Sequence, residues 1–307
     1  MILFKDEIRK DIPDYLLSSQ QFRDFLNKRE PKLVRLLTSR QGNPSDVITY
    51  ADLRDAVENG DLSEETMQKL RDEYAKWVTT RLLPAWDDAI KASQETMRKK
   101  HYQDWYYDPF ETASDEWMQK RSAALVVDIS EQQRNALRAV IRRAVLIEHQ
   151  TADSLAQVIR PMVGLYPQQM TANMNYYLSV LKKLQEANPN ASIEDMEAKA
   201  RHMAQMYAEK QHRYRAQMIA RTELSKAYNN GELISVQQAV KDGMMLPTTK
   251  KKWVTARDDR VCKYCEALDK VTINLTDEFQ GRKQSVQCPP MHPHCRCVLI
   301  YVEEQNE

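Results

Sequence analysis

Six glycines in 307 residues leave this chain few places to turn sharply. Average usage near 7% would give roughly three to four times as many. Glycine is the residue that takes left-handed backbone most readily, so a chain this poor in it has little use for tight loops. Long helices are the economical solution. Apolar residues make up 42%, enough for a core, and charged residues 29%. The length allows one large domain or, on the usual scale of domain sizes, two. Lys and Arg total 45 against 44 Asp and Glu, a net charge of +1. A dedicated nucleic-acid-binding domain is as a rule plainly basic, and this chain is not. No apolar run approaches the roughly 18 residues of a membrane span. Met1-Ile2-Leu3-Phe4 meets charge at Lys5, too soon for a signal peptide. The expectation is a protein made and kept in the cytosol.

Helical periodicity is readable along most of the chain. Phe22, Phe25 and Leu26 share a helical face, with breaks expected at Pro31 and at Gly42-Asn43-Pro44. Thr49-x-x-Asp52 is a capping-box start for a helix ended by Asn59-Gly60. Ser63 caps another, with Met67, Leu70, Tyr74, Trp77 and Val78 as its buried stripe, and Pro84 should kink or divide it before Trp86. Tyr102, Trp105, Tyr106, Tyr107 and Phe110 read as a loop folded onto the core or as a protein-contact surface. Ser130-x-x-Gln133 is expected to open a further helix, with Leu137, Val140, Ile141 and Val145 on its apolar face. Arg134, Arg138, Arg142 and Arg143 ride on it as a solvated row, or one that follows phosphates. A helix from Thr151 should end at Gly164, and one after Pro167, with Met170, Met174, Tyr177, Leu178, Leu181 and Leu184 inward, should break at Asn188-Pro189-Asn190. Ser192-x-x-Asp195 starts the longest helical stretch, running toward Ala239, with room for an interruption at Asn229-Asn230-Gly231. Met196, Met203, Met206 and Met218 read there as core. His202 and His212, ten residues apart, cannot share a metal. After Gly243 and Pro247, strands are expected at 250–255, 271–275 and 297–302, making a small sheet.

All five cysteines lie within the last 46 residues. The pattern is Cys262-x-x-Cys265, then Cys288, then His292-Pro293-His294-Cys295-Arg296-Cys297. Cys-x-x-Cys lets two thiolates converge on one ion at about 2.3 Å, as structural zinc requires. In a reducing compartment, clustered cysteines favour metal over disulfide. The second pair of ligands has to come from Cys288, His292, His294, Cys295 and Cys297, and spacing does not choose among them. Thiols packed as small hydrophobes, or a disulfide formed late, are the alternatives. A site with four protein ligands is structural, because no position stays open for water. Arg221 and Glu223, two apart on a helix, face different sides. Each is expected to anchor a neighbouring segment, one through Asp258 and the other through Arg260. Trp253 should bury its indole against the helix at 221–228. No phosphate-cradling glycine loop, Gly-x-Ser-x-Gly or His-Glu-x-x-His occurs.

Ala220-Arg221-Thr222-Glu223, then Trp253-Val254-Thr255, Asp258-Asp259-Arg260-Val261-Cys262-Lys263-Tyr264-Cys265 and His292-Pro293-His294-Cys295-Arg296-Cys297 follow in that order. This series resembles the head morphogenesis domain of tailed bacteriophages, the Mu F-like minor head proteins, over roughly residues 151–302. His294 stands where that family more often has Asn, Lys270 where a Gly commonly follows the acidic residue, and Cys288 is outside the usual pattern. The resemblance points to His292, Cys295 and Cys297 as the candidates that complete a zinc site with Cys262 and Cys265. It also implies a non-enzymatic minor head protein in the virion, inside the capsid near the portal after assembly in the host cytoplasm. Its implied partners are the portal protein and scaffold or major capsid protein, with packaged DNA as a further one, and its role head assembly or genome delivery. The architecture expected is mainly α: an elongated multi-helix body with a small C-terminal α+β module, a short antiparallel sheet beside a Cys/His cluster. The divisions expected are a helical domain over 1–150, the Mu F-like domain over 151–302 with its arm at 151–243 and module at 250–302, and a tail at 303–307. Two other readings stand beside this one. A zinc-stabilised nucleic-acid-binding module is motivated by Lys250-Lys251-Lys252 and Arg282-Lys283, and a toxin-type enzyme would have to occupy the first half.

Overall fold

The computed structural model describes residues 14–39, 43–101, 110–144 and 151–303. Gly42, the aromatic run Tyr102 to Tyr107, Val145 and the tail beyond Glu303 lie outside the described residues. The fold is mainly helical, with a small antiparallel sheet near the C-terminus and a Cys/His cluster beside it. In order come α1 (Asp14–Thr38), a 3-10 turn (Pro44–Val47), α2 (Tyr50–Asn59), α3 (Glu64–Trp77), a π-helical turn (Val78–Leu82) and α4 (Leu83–His101). Then follow α5 (Phe110–Ala144), α6 (Ala152–Ile159), α7 (Pro167–Ala187), α8 (Ile193–Lys241), β1 (Lys250–Val254), α9 (Lys263–Glu266), β2 (Thr272–Asn274), β3 (Phe279–Gln280), β4 (Ser285–Val286) and β5 (Val298–Val302). Among the described residues no helix is long and apolar enough to cross a membrane.

Several helix ends are those that the capping residues dictate. Thr49 and Asp52 form a reciprocal capping box on α2, which stops at Gly60 with φ +79°. Ser63 Oγ accepts from the Thr66 amide at the start of α3. The π turn falls just before Pro84, where the ring removes a helical hydrogen bond, so the expected division is there.

Three expected breaks are absent, each for a tertiary reason. α1 runs through Pro31 because Phe22, Phe25, Leu26 and Leu33 are buried on both sides of it. Their burial outweighs a cost of about 3 kcal/mol for the ring. Ser130-x-x-Gln133 starts nothing; it lies inside α5. Ser130 Oγ donates back to the Val126 carbonyl at 2.7 Å, and Gln133 is used elsewhere. Its side chain accepts from the Gly164 amide at 2.7 Å and donates to the Leu165 carbonyl at 2.6 Å, fixing the turn where Gly164 takes φ +94°. Asn229-Asn230-Gly231 lies within an unbroken α8. Both carboxamides donate to carbonyls one turn back, at 2.9 Å. Gly231 is a packing gap, since a Cβ there would sit 3.1 Å from Ile90 Cα on α4.

The chain divides into two compact units, one holding Met1–Val34, Leu82–Gln119 and Gln217–Glu307, the other Arg35–Arg81 and Lys120–Ala216. In the second unit α6 packs on α2, and Asp61 accepts from both Arg134 and Arg138. Arg134 also reaches Glu64 at 3.1 Å. Half of the arginine row is therefore committed to carboxylates rather than simply solvated, and it holds Asp61 down to about 2 against burial, which alone would raise it. The buried stripe of α8 within this unit is Met196, Ala200, Ala204 and Ala208. Met203 and Met206 are exposed, contrary to expectation, because the alanines take the inward positions.

In the first unit Phe22 and Phe25 of α1 meet Tyr228 of α8 at ring-centroid distances of 5.1 and 4.7 Å. The three-stranded sheet has the order β2-β1-β5, all antiparallel, with Lys251 opposite Ile273 on one side and Tyr301 on the other. A two-stranded hairpin, β3-β4, accompanies it and has no counterpart in the sequence reading. Trp253 on β1 is fully buried. Its cluster takes its α8 members from Leu233, Val236 and Ala239, further along than the expected 221–228, and its ring meets Phe279 edge-on at 5.0 Å.

Candidate metal centre

Two segments carry the donors. Asp258 to Cys265 forms a knuckle. Cys262 is the N-cap of α9, and its sulfur accepts from the Cys265 amide at 3.4 Å. That bond turns both sulfurs to one side. The second segment runs from the Pro289-Pro290 cis bond through His292 to Cys297 and enters β5. Here His294 takes left-handed backbone, φ +63°, and its amide donates to Thr222 Oγ1 on α8 at 3.3 Å. The reversal at His294 brings Cys295 back toward the knuckle.

Five side chains converge. His292 Nε2 lies 3.1 Å from both Cys262 Sγ and Cys265 Sγ, and Cys265 Sγ lies 3.7 Å from Cys295 Sγ. Their ligand atoms form two overlapping triads, Cys262/Cys265/His292 and Cys265/Cys295/Cys297. All five cysteines are free thiols. Two zinc–sulfur bonds of about 2.3 Å at a tetrahedral angle set the sulfurs about 3.8 Å apart, so the Cys265–Cys295 separation suits a shared ion. His292 Nδ1 lies 2.7 Å from the Pro293 carbonyl. A carbonyl only accepts, so Nδ1 carries the proton and Nε2 turns its lone pair to the thiols, the second-sphere arrangement typical of metal-bound histidine. Donor type and tautomer fit zinc. Cys262, Cys265 and His292 would hold it, with the fourth place falling to Cys295 or Cys297, which share the second triad with Cys265.

The electrostatics agree. Cys295 is held well below the ordinary thiol range by hydrogen bonds from Cys265 and Cys297, and those two are pushed up by the same bonds and by burial. Without a cation these sulfurs must share protons. Cys288 belongs to neither triad; it is buried with Trp253 and Phe279, and burial pushes it up to about 12. His294 is outside both triads as well.

The polar anchors pair differently from expectation. Asp258 takes a two-pronged bond from Arg296, 2.6 Å at Nη2, and that bond holds it at about 2. Since Arg296 stands between Cys295 and Cys297, this pair straps one ligand segment to the other. Arg260 gives Asp258 its backbone amide at 3.1 Å, while its guanidinium, 3.5 Å away, is largely exposed. Arg221 does not reach Asp258 at all; it grips Glu30 on α1 through two bonds of 2.8 Å. Glu223 is buried on α8, with Lys226 at 3.9 Å. The residues that sequence reasoning missed are Arg296, Glu30 and Lys251. Arg296 had a signal in its place between two candidate ligands, and Glu30, 191 residues from Arg221, had none. Lys251 had a misleading one. It lies in a basic run yet is fully buried, donating to the Leu275 carbonyl at 2.8 Å and Gln287 Oε1 at 2.7 Å.

The family described as Phage Mu protein F like protein matches residues 137–300, more than half of the chain. No curated protein and no solved structure matches. The matched span takes in α6, α7 and α8, both ligand segments, and the sheet as far as the middle of β5. With its helical approach to a Cys/His-bearing sheet, this chain belongs to the phage Mu F-like head morphogenesis family.

Proposed function

We propose that this chain is a minor head protein of a tailed phage, a virion component that acts near the portal during head assembly or genome delivery. The observation that carries this is the family match over residues 137–300, which takes in both ligand segments of the Cys/His module. A structural rather than catalytic role accords with the centre, where four protein donors would leave no position for a substrate or water. A bound zinc would supply cross-linking between the knuckle and the 292–297 segment. The protein's own part is to hold the donors: the Asp258–Arg296 strap fixes the two segments, and the Pro293 carbonyl fixes the histidine.

Portal association is tested by co-expression with the portal protein of the same phage. Co-elution with the portal oligomer, and recovery of the chain from assembled heads, are expected. Separate elution at micromolar concentration together with absence from heads would overturn the reading. Elemental analysis of protein purified without chelator should give about one zinc per chain.

A further inference from the structure

On the outer side of the knuckle, Tyr264 is exposed between two cations. Lys263 Nζ lies 5.5 Å and Arg282 Cζ 5.8 Å from its ring centroid, and Arg282 Nη1 donates to Tyr264 Oη at 2.8 Å. These residues come from two places. Lys263 and Tyr264 sit between Cys262 and Cys265. Arg282, with exposed Lys283 beside it, sits at the tip of the β3-β4 hairpin. The tip is not loose. The Gly281 amide donates to the Gln284 carbonyl at 3.0 Å, and the Gln284 side chain donates to the Met291 carbonyl, next to His292. A Cβ at Gly281 would come within 2.8 Å of the Gln284 carbonyl oxygen, so the turn needs glycine to close this tightly.

Within the module the cations of this cluster stand apart from the ion pairs. Residues 250–303 hold ten basic and seven acidic side chains. Asp258 is committed to Arg296, and Asp269 to Thr255 and Arg257. Asp277 takes a bond from Asn274, and Glu278 one from Ser285. Among the described residues, no carboxylate forms an ion pair with Lys263, Arg282 or Lys283. Glu303 accepts from the Leu246 amide, whereas Asp259 and Glu266 are exposed, so Lys263, Arg282 and Lys283 stand on a mixed surface as exposed cations that form no ion pair with its carboxylates. Two of these cations are held by one tyrosine, which lowers the entropy lost when they close on a ligand.

The geometry points to a contact for the phosphate backbone of nucleic acid, with Lys263 and Arg282 meeting phosphates and Tyr264 holding the arginine fork in place. Phosphate is the group that a fixed guanidinium and a neighbouring ammonium match best. The basic run at 250–252 is a poorer candidate, since Lys251 is inside the protein. Portal association plays no part in this assignment. The assay uses the isolated chain, so either reading can fail without the other.

The test is fluorescence anisotropy of labelled duplex DNA with the full chain across a salt titration. Binding is expected at roughly 50 mM salt and should fall steeply as salt rises. The double variant K263E/R282E should bind at least tenfold more weakly, with the log–log salt slope reduced by about 2, one for each lost phosphate contact. Y264F removes only the hydroxyl that orients Arg282. It should weaken binding several-fold at unchanged slope, which a merely diffuse positive field would not produce. These side chains are exposed, and circular dichroism should show each variant folded as the parent is. Three results would overturn the assignment: no binding at low salt, binding unaffected by K263E/R282E, or displacement by polyglutamate as effective as by DNA at equal charge.

Discussion

Among the described residues, three other than glycine hold left-handed backbone: Arg257, Lys270 and His294, with φ of +51°, +68° and +63°. Two of them are positions where this chain departs from the pattern it resembles, Lys270 for the commoner Gly and His294 for the commoner Asn. Both departures thus fall where backbone conformation, rather than side-chain chemistry, selects the residue. Asn and His share a tolerance for this region, so His294 needs no ligand role to explain it. Lys270 gains no such relief. Lys270→Gly should raise stability by roughly 0.5–1 kcal/mol, the steric gain outweighing glycine's greater freedom in the unfolded chain. Denaturant midpoints measure this, and a lower midpoint would count against left-handed strain at Lys270. At this scale the sequence was a fair guide to which residues matter and a poor one to their pairing. Cys262, Cys265, His292, Cys295 and Cys297 were all named, because thiol and imidazole have few other reasons to cluster. The sequence reading sends Arg221 and Glu223 to Asp258 and Arg260; the carboxylate of Arg221 comes instead from Glu30, on α1.

Elements show where local signals lose to packing. Ser130-x-x-Gln133 has the residues of a cap, yet Gln133 is spent on the Gly164 turn and α5 continues. Asn229-Asn230-Gly231 has the residues of a turn, yet α8 continues because the gap at Gly231 admits α4. In both cases the deciding partner is far away in sequence, which no window of local propensity contains. β5 is readable from its β-branched run, and β1 and β2 are legible beside it, whereas the two-residue strands β3 and β4 are too short to carry a period. The packing account of Gly231 makes a definite claim. Helix propensity alone favours replacing a mid-helix glycine. Against that, a side chain here meets the Ile90 backbone, which cannot rotate aside. Gly231→Val should therefore destabilise by about 2–3 kcal/mol, the range of overpacking effects. A thermal midpoint at or above the parent's would show that α4 and α8 approach less closely. Trp253→Ala should cost about 3–5 kcal/mol, since the indole is fully enclosed with Phe279 in the core that backs the metal centre. A loss under 1 kcal/mol by denaturant unfolding would mean that the cluster is poorly packed.

The whole molecule divides into two units that intersperse along the sequence, and each should report on a different chemistry. The unit containing Asp61 answers to acid through that carboxylate. Arg134 and Arg138 lower its pKa to about 2 from an ordinary 3.8. A depressed carboxylate contributes stability that is complete above the unfolded pKa and is lost as pH falls through the folded one, here between about pH 4 and 2. Solvent at its edge screens the pair, leaving a contribution on the order of 1 kcal/mol. Asp61→Asn should flatten that acid limb, and an unchanged limb would assign it to other carboxylates.

The other unit should answer to metal. Its sheet is small, and a module of that size has too little apolar area to hold itself together generously. A structural zinc contributes roughly 10–16 kcal/mol of apparent binding free energy at neutral pH, more than the short strands supply. The effect should not stop at the module, because Met97 of α4 and Leu233, Val236 and Ala239 of α8 share the core cluster with Cys265, Cys295 and Cys297. Scanning calorimetry of the full chain should accordingly give two transitions. Chelator, Cys262→Ser or Cys265→Ser should lower the transition of the sheet-bearing unit and leave the other in place. Cys288→Ser should do much less, because its sulfur lies outside both triads. Cys295 and Cys297 compete for the fourth place, since both sulfurs share the second triad with Cys265, and the larger loss on Cys295→Ser or Cys297→Ser marks the ligand. Acid should act as chelator does, as protons compete for thiolate and imidazole. A sheet-bearing unit indifferent to chelator, in protein shown to carry no metal, would leave the five donors as packed thiols and a neutral histidine.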